Sequence, residues 1–353
     1  MVLLCDPWFG SAGWGMMGGL RRLGHEVFAI DYREIIPKVT TVGLKVIRGV
    51  LLGWFVRDYN NHIVEQAESW QPEILLAVKG SYVLPETLRA LRERGVSTYN
   101  YYPDVSVFTH DRHIPKALGQ YDRVFTTKSF QIGDLKERLG ISNVTFVPHG
   151  YSPDVHRPFE LTEADKERYG ADVSFIGMHS AKKERVIAGL RRALPGVTLR
   201  IWGNLWSSRC MSADLGPSVT DRPLWGWAYA KAIQAARVNL AINSEGVSGA
   251  SSGDLMSMRS FEIPACGGFM IHERNEEVRS FYEEDREVVL FDGVEELAEK
   301  VRYYLEHERE RQAIADAGRR RCVPAYSYDE RARACLRLHE RAGMGLTPGT
   351  CVA

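Results

Sequence analysis

The segment from Arg259 to Gly268 carries residue types that suit ligand binding. Arg259 and Glu262 are three residues apart, so a helix places them one turn from each other on the same face. The paired glycines at 267 and 268 predict the end of that helix, because glycine favours the position just past a helix terminus. A carboxylate in the first turn suits the positive helix end and can accept hydrogen bonds from a ligand. The same glutamate can equally act as an ordinary cap, and the segment alone leaves both roles open.

Two further candidates, Asp104 and His110, follow a predicted strand at residues 97–102. The carboxyl ends of parallel strands are the edge at which open α/β sheets bind ligands. Asp104 and His110 are therefore candidates for binding an acceptor substrate or abstracting a proton. The alternative for each is a solvated loop residue.

The loop after the first predicted strand contains Gly10, Gly13 and Trp14. Its glycines do not have the spacing of the dinucleotide-binding fingerprint. Their lack of a side chain instead favours close approach of a substrate to the backbone. Trp14 offers an aromatic face for a sugar ring or a base, or it packs against its own domain.

The elements that must position these residues alternate between strands and helices. Short apolar runs bounded by turn residues predict strands at 2–5, 27–30, 74–78, 97–102, 122–127, 144–148, 173–176, 199–202, 238–242, 269–271 and 288–291. Helical patterns separate them, with residues 38–70 forming two helices. This order is typical of α/β proteins with parallel sheets.

The series divides near residue 155, where residues 149–158 are rich in proline and lack apolar periodicity, as expected of a linker. We expect two Rossmann-like βαβ domains, at residues 1–155 and 156–325, that face each other across a cleft. Residues 326–353 should form a helix that crosses back to the first domain and a frayed tail. The serine- and glycine-rich loop at residues 243–254 is expected to be mobile.

Composition limits the class of protein. The chain has 353 residues and a formal net charge of zero. Such a chain has no overall positive charge to attract the phosphates of nucleic acid, so nucleic-acid binding is not indicated. Its six cysteines include no C-x-x-C pair, and no signal peptide is evident, so a cytoplasmic location is expected. The apolar window at residues 39–56 is interrupted by Lys45 and Arg48, so it is not hydrophobic enough for a transmembrane segment. It either packs on its own domain or lies on a membrane surface.

Several segments together resemble the CgeB-like, spore-maturation type of glycosyltransferases. They are Phe175-Ile-Gly177 with Arg185 downstream, Leu199-Arg-Ile-Trp-Gly203, Val238-Asn-Leu-Ala-Ile-Asn243, Arg259-Ser-Phe-Glu-Ile-Pro-Ala-Cys-Gly-Gly268 and Tyr303-Tyr-Leu-Glu-His307. The resemblance is strongest over residues 172–321 and looser in the N-terminal half. It implies the GT-B architecture, with a nucleotide-sugar donor in the C-terminal domain and the acceptor in the N-terminal domain. The acceptor itself is not identified.

The resemblance also implies roles for individual residues. Transfer from a UDP- or GDP-type sugar develops negative charge on the leaving diphosphate, which cationic side chains stabilise. Arg185, Lys182 and Arg259 are the candidates, although Lys182 is equally a solvated surface residue. Donor contacts are further expected from residues at the ends of the strands, namely Gly177, Trp202, Gly203, Asn204 and Asn243. The chain contains no D-x-D motif, so no cofactor or obligatory metal is expected.

Related retaining enzymes carry two glutamates in an E-x7-E pattern, and the second binds the ribose. Glu262 matches the second position, while Asp254 stands at the first. The pattern favours retention of the anomeric configuration, whereas an inverting enzyme would require a base such as Asp104 or His110. Two alternatives to a transferase remain: a sugar-nucleotide epimerase with the same architecture, and a non-catalytic binding or structural protein.

Overall fold

The structure is a computed structural model that describes residues 1–37, 42–220 and 222–343. By its internal contacts the chain forms two compact units. The first comprises Met1–His149, Gly246–Ser252 and the described residues from Arg331 onward; the second comprises Gly150–Glu245 and Gly253–Glu330. These divisions differ from those expected at residues 155 and 325. The frayed tail expected beyond residue 343 lies outside the described residues.

The first unit is built on a parallel sheet of six strands in the order β2-β1-β3-β4-β5-β6. The strands are β1 (Val2–Cys5), β2 (Val27–Ile30), β3 (Ile74–Val78), β4 (Ser97–Tyr102), β5 (Arg123–Thr126) and β6 (Val144–Phe146). Val2 pairs with Val27 on one side and with Ile74 on the other, so the strand order reverses between β1 and β3. Both β1 and β3 are entirely buried, as expected of central strands covered on both faces.

Seven helices in the described residues belong wholly or mainly to the first unit. They are α1 (Ala12–Arg22), α2 (Tyr32–Ile35), α3 (Val42–Trp70), α4 (Pro85–Glu93), α5 (Ile114–Leu118), α6 (Gln131–Leu139) and α15 (Tyr328–Gly343). The prediction of two helices in residues 38–70 was wrong over the described part, since α3 is one continuous helix of 29 residues. The segment contains no proline, and its glycines weaken a helix without ending it. Within the described residues, no helix is both long and apolar enough to cross a membrane.

The second unit has a parallel sheet of five strands in the order β11-β10-β9-β7-β8. The strands are β7 (Ala171–Ile176), β8 (Leu199–Trp202), β9 (Ala236–Ala241), β10 (Met270–Glu273) and β11 (Val289–Phe291). The helices are α7 (Glu163–Tyr169), α8 (Ala181–Ala193), α9 (Trp206–Arg209), α10 (Gly226–Ala235), α11 (Arg259–Ala265), α12 (Glu276–Phe281), α13 (Val294–Glu306) and α14 (Glu308–Cys322), with a 3₁₀ helix at Ala213–Ser218. The strand order reverses between β7 and β9, which makes their carboxyl ends the expected ligand position.

The helix predicted to start near Arg259 is confirmed as α11, and Gly267 follows it with a φ of +78°. Helix α7 was missed, although Thr162 and Asp165 form a capping box at its start.

The division between the two units at His149 and Gly150 falls within the linker predicted at residues 149–158, although Tyr151 and His156 in that segment are buried. The Tyr151 amide donates to the Tyr326 carbonyl (3.2 Å), and the Tyr328 amide donates to the Tyr151 carbonyl (2.9 Å). Backbone pairing with a segment far along the chain holds this stretch inside the second unit.

Candidate functional site

Arg259 joins the carboxyl ends of β7 and β9 in the second unit. Its guanidinium donates to the Ile242 carbonyl (2.9 Å) and more weakly to the Ile176 carbonyl (3.4 Å), and it lies 5.4 Å from the centre of the Phe175 ring. Its Nε has no hydrogen-bond partner among the residues that the structure describes. The switch point of this sheet therefore carries a fixed cation with donor capacity to spare.

Lys183 places a second cation at the same edge. Its side chain is only 4% exposed, and Nζ lies 3.3 Å from both the Met178 carbonyl and the Ser244 hydroxyl. Burial, reinforced by the Arg259 charge, lowers the pKa of Lys183 to about 8, while Asp254 acts in the opposite direction. Two cations and one predicted catalytic acid thus lie within electrostatic reach of each other.

The sequence interpretation missed Lys183, although a signal was present. Lys183, Ile187 and Leu190 recur at helical spacing and share the buried face of α8. A cation in that series, in the first turn of a helix that follows a parallel strand, indicates an inward-facing charge. The predicted donor contacts Lys182 and Arg185 sit on either side of this buried position.

The structure does not place the side chains of Lys182 and Arg185 beside Arg259 and Lys183. Lys182 Nζ forms an ion pair with Glu273 (2.8 Å), and the Lys182 amide donates to Glu245. Arg185 is exposed to solvent. Two residues along an α-helix correspond to a rotation of about 200°, so Arg185 projects away from Lys183.

Gly177 and Gly203 close the ends of β7 and β8. A Cβ atom on Gly203 would lie 2.1 Å from the Gly177 carbonyl oxygen, and one on Gly177 would lie 2.9 Å from Arg259 Nη1. Gly203 is therefore required by backbone packing, whereas Gly177 leaves room for the side chains of Arg259 and Phe175. The Asn204 side chain is exposed, and its carbonyl accepts from the His179 amide (3.0 Å).

Asn243, directly after β9, is almost fully buried. Its amide donates to Glu273 (2.7 Å), and its side-chain Nδ2 donates to the Leu255 carbonyl (2.8 Å). Its Oδ1 has no hydrogen-bond partner in the described part of the chain. A buried acceptor without a donor is unusual in a folded protein and marks a position suited to a ligand or water.

Glu262 is buried and engaged within the protein. Its Oε2 accepts from the Tyr229 hydroxyl (2.7 Å), and its Oε1 lies 3.6 Å from His156 Nε2. The Ser152 amide donates to His156 Nδ1 (3.0 Å), so the neutral ring carries its proton on Nε2, facing Glu262. Burial lowers the pKa of His156, which favours that neutral form. The sequence prediction of a ribose contact by Glu262 stays a prediction.

Replacing Tyr229 by phenylalanine is expected to lower the free energy of unfolding by about 1 kcal/mol, because a buried carboxylate loses one donor. Urea denaturation of both proteins measures this change. Tyr303→Phe is the control, since its hydroxyl donates to Glu310 at an exposed site. Equal effects of the two substitutions would show that the Tyr229–Glu262 bond contributes nothing specific.

A cavity of about 730 Å³ lies beside the end of β8. It is lined by Trp202, Arg200 and Thr220, and by Leu224 and Trp225 from the segment before α10. The Trp202 side chain is 6% exposed, and its indole N–H has no hydrogen-bond partner among the described residues. The cavity therefore has aromatic surface from Trp202 and Trp225 beside a buried indole N–H, and its size is typical of small-molecule sites.

In the first unit, the Asp104 carboxylate forms an ion pair with Lys79 and also contacts His110. Its Oδ2 lies 2.7 Å from Lys79 Nζ and 3.2 Å from His110 Nε2. Burial lowers the pKa of His110, against the opposing effect of Asp104. The structure thus brings together the two residues predicted as candidate bases. It also places Lys79 beside them, where the ammonium group pairs with the Asp104 carboxylate.

The glycine-rich loop of the first unit packs on its own strand. A Cβ atom on Gly13 would lie 2.4 Å from the Asp6 carbonyl oxygen, so this glycine is needed for α1 to approach β1. Gly10 has a φ of +79°. Trp14 is partly exposed and meets Phe9 edge-on, with ring centres 5.4 Å apart. Packing thus accounts for Gly13, while Trp14 retains an accessible face.

Asp6 was missed by the sequence interpretation. It directly follows β1, has a φ of +69°, and is only 5% exposed. Neither carboxyl oxygen meets hydrogen-bond geometry with any described residue. Burial, and then the charge of Asp31, raises the pKa of Asp6 well above its ordinary range. The first unit therefore holds a buried acid at its own switch point.

Residues 246–252, within the loop predicted to be mobile, belong to the first unit. The Ser106 hydroxyl donates to the Ser248 carbonyl (2.7 Å), and the Ser251 amide donates to Asp134 (2.9 Å). These two hydrogen bonds attach residues 246–252 to the rest of the first unit. Asp254 returns to the second unit, where its amide donates to the Ser244 carbonyl (3.0 Å).

Across the described ranges, no group of three or more His, Cys, Asp or Glu side chains is placed to hold a metal ion. Metal-independent transfer stays a prediction.

Residues 182–337 match a family described as glycosyl transferase-like. Lys183, Asp254, Arg259 and Glu262 all fall within the matched range. A comparison with curated proteins found no match.

Several solved structures resemble the chain over nearly its whole length. A glycosyltransferase from Rickettsia africae ESF-5 is 14% identical with a TM-score of 0.66, covering 96% of this chain and 97% of that one. Sucrose-phosphate synthase (tll1590) from Thermosynechococcus elongatus is 12% identical with a TM-score of 0.65, covering 98% and 99%. Anabaena Alr3699/HepE in complex with UDP-glucose is 10% identical with a TM-score of 0.64, covering 96% and 99%. At such identities the likeness establishes the fold.

The two Rossmann-like units define the GT-B fold, as the sequence predicted. The family match over the second unit adds the class of reaction. The family match over residues 182–337 and the fold together support a glycosyltransferase.

Proposed function

We propose that this protein transfers a sugar from a UDP- or GDP-type nucleotide sugar, bound at the switch point of the second unit, to a separate acceptor. The observation that carries this proposal is the convergence of Lys183 and Arg259 at the ends of β7 and β9. Two cations at a sheet edge suit a diphosphate, whose oxygens accept charge-assisted hydrogen bonds.

In the reaction, the bond between the anomeric carbon and the diphosphate oxygen breaks, and the acceptor oxygen bonds to that carbon. Negative charge develops on the departing diphosphate, and its oxygen takes the proton that the acceptor hydroxyl releases. Lys183 and Arg259 stabilise that charge most effectively because Lys183 is buried and the Arg259 guanidinium is held in place by backbone carbonyls. No metal is required by this scheme.

The base and the ribose of the donor are also expected to bind in the second unit. The cavity beside Trp202 takes the base, which stacks on an aromatic face and receives the indole N–H. The Tyr229 hydroxyl already donates to the Glu262 carboxylate. For Glu262 to bind the ribose, its carboxylate must accept a second hydrogen bond or exchange the one from Tyr229 for one from the ribose. The UDP-glucose complex of the Anabaena neighbour favours a uridine donor.

Asp254, close enough to influence Lys183, takes the first acidic position and favours a retaining mechanism. On the acceptor side, Asp104, His110, Gly10 and Trp14 of the first unit contact the acceptor substrate. The motifs in residues 172–321 favour the CgeB-like group within the superfamily.

Calorimetric titration with UDP, GDP, ADP and pyrophosphate in the presence of EDTA tests the proposal. UDP or GDP is expected to bind, and Trp202→Phe should weaken that nucleotide about fivefold through loss of one donor while leaving pyrophosphate unchanged. Trp227→Phe is the matched control, because that side chain is 64% exposed. Absence of binding by every nucleotide would contradict a nucleotide-sugar donor. An equal loss for pyrophosphate would contradict the base pocket.

A further inference from the structure

The carboxylate of Glu245 is bound at the N-terminal end of α8. It accepts a hydrogen bond from the Lys182 amide (2.6 Å), and the Ser180 hydroxyl donates to it as well. Ser180 is the N-cap residue of α8, and the Lys182 amide belongs to the first turn, where amides have no partner inside the helix. An anion from the chain itself therefore occupies a position that the helix dipole and the first-turn amides make favourable for negative charge.

Glu245 is ionised in this position. Burial acts to raise the pKa of Glu245, but the hydrogen bonds from Ser180 and Lys182 and the charge of Lys183 outweigh it and lower the pKa overall. Lys183 is nevertheless not paired with it. In the part of the chain that the structure describes, Lys183 Nζ contacts two neutral oxygens at 3.3 Å and no carboxylate. A buried ammonium without a carboxylate partner indicates that a second anion binds here.

The diphosphate of the proposed donor is expected at the same end of α8. This helix follows β7 at the switch point of the sheet, and Lys183 lies in its first turn. A diphosphate that contacts Lys183 would lie close to the Glu245 carboxylate, because Glu245 acts electrostatically on the same ammonium. Two anions at such a separation repel each other. The diphosphate and the Glu245 carboxylate are therefore alternative occupants of one position.

We propose that Glu245 is an internal competitor of the donor, which holds the end of α8 in the unliganded protein and leaves when the diphosphate binds. This inference rests on the proposed function. The diphosphate then accepts the hydrogen bonds of the Lys182 amide and the Ser180 hydroxyl, so these donors are paired in both states. The next residue, Gly246, is exposed and gives the backbone the freedom that this movement requires. Donor affinity is lowered by the free energy needed to release Glu245.

Calorimetric titration of the full-length protein with pyrophosphate, UDP and GDP tests the exchange. Glu245→Gln should raise the affinity for pyrophosphate, and for the nucleotide that binds, about tenfold, because a neutral side chain is released more easily. Glu245→Ala also removes the acceptor oxygens and should raise the affinity at least as much. Urea denaturation of the unliganded proteins should show the opposite effect, with lower stability of both variants, since they lose a hydrogen-bonded carboxylate at the helix end.

Glu184→Gln is the matched control, because it removes the same charge from the same end of α8. The Glu184 carboxylate accepts instead from the Met211 and Ser212 amides (2.8 Å each) and from His179 Nε2 (2.7 Å). Its replacement should change the affinity for pyrophosphate and nucleotide by less than about threefold.

The inference is overturned if the wild type binds nucleotide and neither Glu245 variant binds it more tightly, a result that leaves the proposed donor site intact. It is also overturned if Glu184→Gln raises the affinity as much as Glu245→Gln, since the gain then comes from net charge. Tighter pyrophosphate binding by the Glu245 variants, with no nucleotide bound by any of the proteins, would support the exchange and contradict a nucleotide-sugar donor. If none of the three ligands binds to any of the proteins, both proposals are wrong.

Discussion

Lys183→Met is expected to weaken binding of the nucleoside diphosphate about 10- to 100-fold. A hydrogen bond to a charged group contributes about 1.5–3 kcal/mol, and methionine keeps most of the volume of the lysine while removing its charge. The ammonium is buried beside Arg259, so no surface lysine can replace it. Calorimetric titration of the wild type and the variant with UDP and GDP measures the loss.

Lys182→Met is the matched control, one residue away. Its ammonium is already paired with Glu273, so its removal should change nucleotide affinity less than about threefold. If both variants lose affinity equally, the assignment of the diphosphate to Lys183 is wrong. If neither loses affinity while nucleotide still binds, the donor lies elsewhere in the unit.

The pH dependence of Lys183 gives two trends of opposite sign. Nucleotide affinity should fall as the pH rises through about 8, because Lys183 then loses its proton. The stability of the unliganded protein should rise with pH between about 8 and the ordinary lysine value of 10.5, since the unfolded chain binds the extra proton there. Lys183→Met should show neither contribution, which denaturation and titration over this range can verify.

Asp6→Asn is expected to raise the free energy of unfolding by about 2 kcal/mol near neutral pH. The buried carboxyl of Asp6 must take up a proton when the protein folds near neutral pH, and asparagine removes that cost because it does not ionise. Asparagine also tolerates the left-handed backbone at this position, where φ is +69°. Urea denaturation at several pH values measures the gain.

The sign of the pH effect follows from the raised pKa of Asp6, which burial causes. The folded state holds the proton to higher pH than the unfolded chain, so wild-type stability falls as pH rises from about 4 towards the raised value. The gain from Asp6→Asn should therefore be small at about pH 4 and grow with pH.

Asp31→Asn is the control and should have the opposite sign. Burial acts to raise the pKa of Asp31, but hydrogen bonds and the charge of Arg33 outweigh it and lower the pKa overall. Removing that carboxylate should cost stability above about pH 4. If Asp6→Asn destabilises the protein as Asp31→Asn does, the Asp6 carboxyl has partners that the described geometry lacks.

The periodicity of the sequence determined the two sheets and the helix that carries Arg259 and Glu262. Strand patterns and glycine stops act over a few residues, so Gly267 ended α11 where the pattern predicted. The same local signals could not separate Lys183 from Lys182 and Arg185, because three basic side chains within four residues look alike in a sequence. Only the packing of α8 on the sheet buries one of them.

Tertiary structure also decided which polar groups are satisfied. Tyr229 reaches Glu262 across 33 positions of sequence, and the segment containing Ser248 packs on residues of the first unit more than a hundred positions earlier. Asp6 is a buried acid for the same reason, since elements distant in sequence enclose it. Local pattern thus determines where strands and helices form. Long-range packing sets the charge, exposure and partners of each side chain, because burial depends on what the rest of the chain brings alongside it.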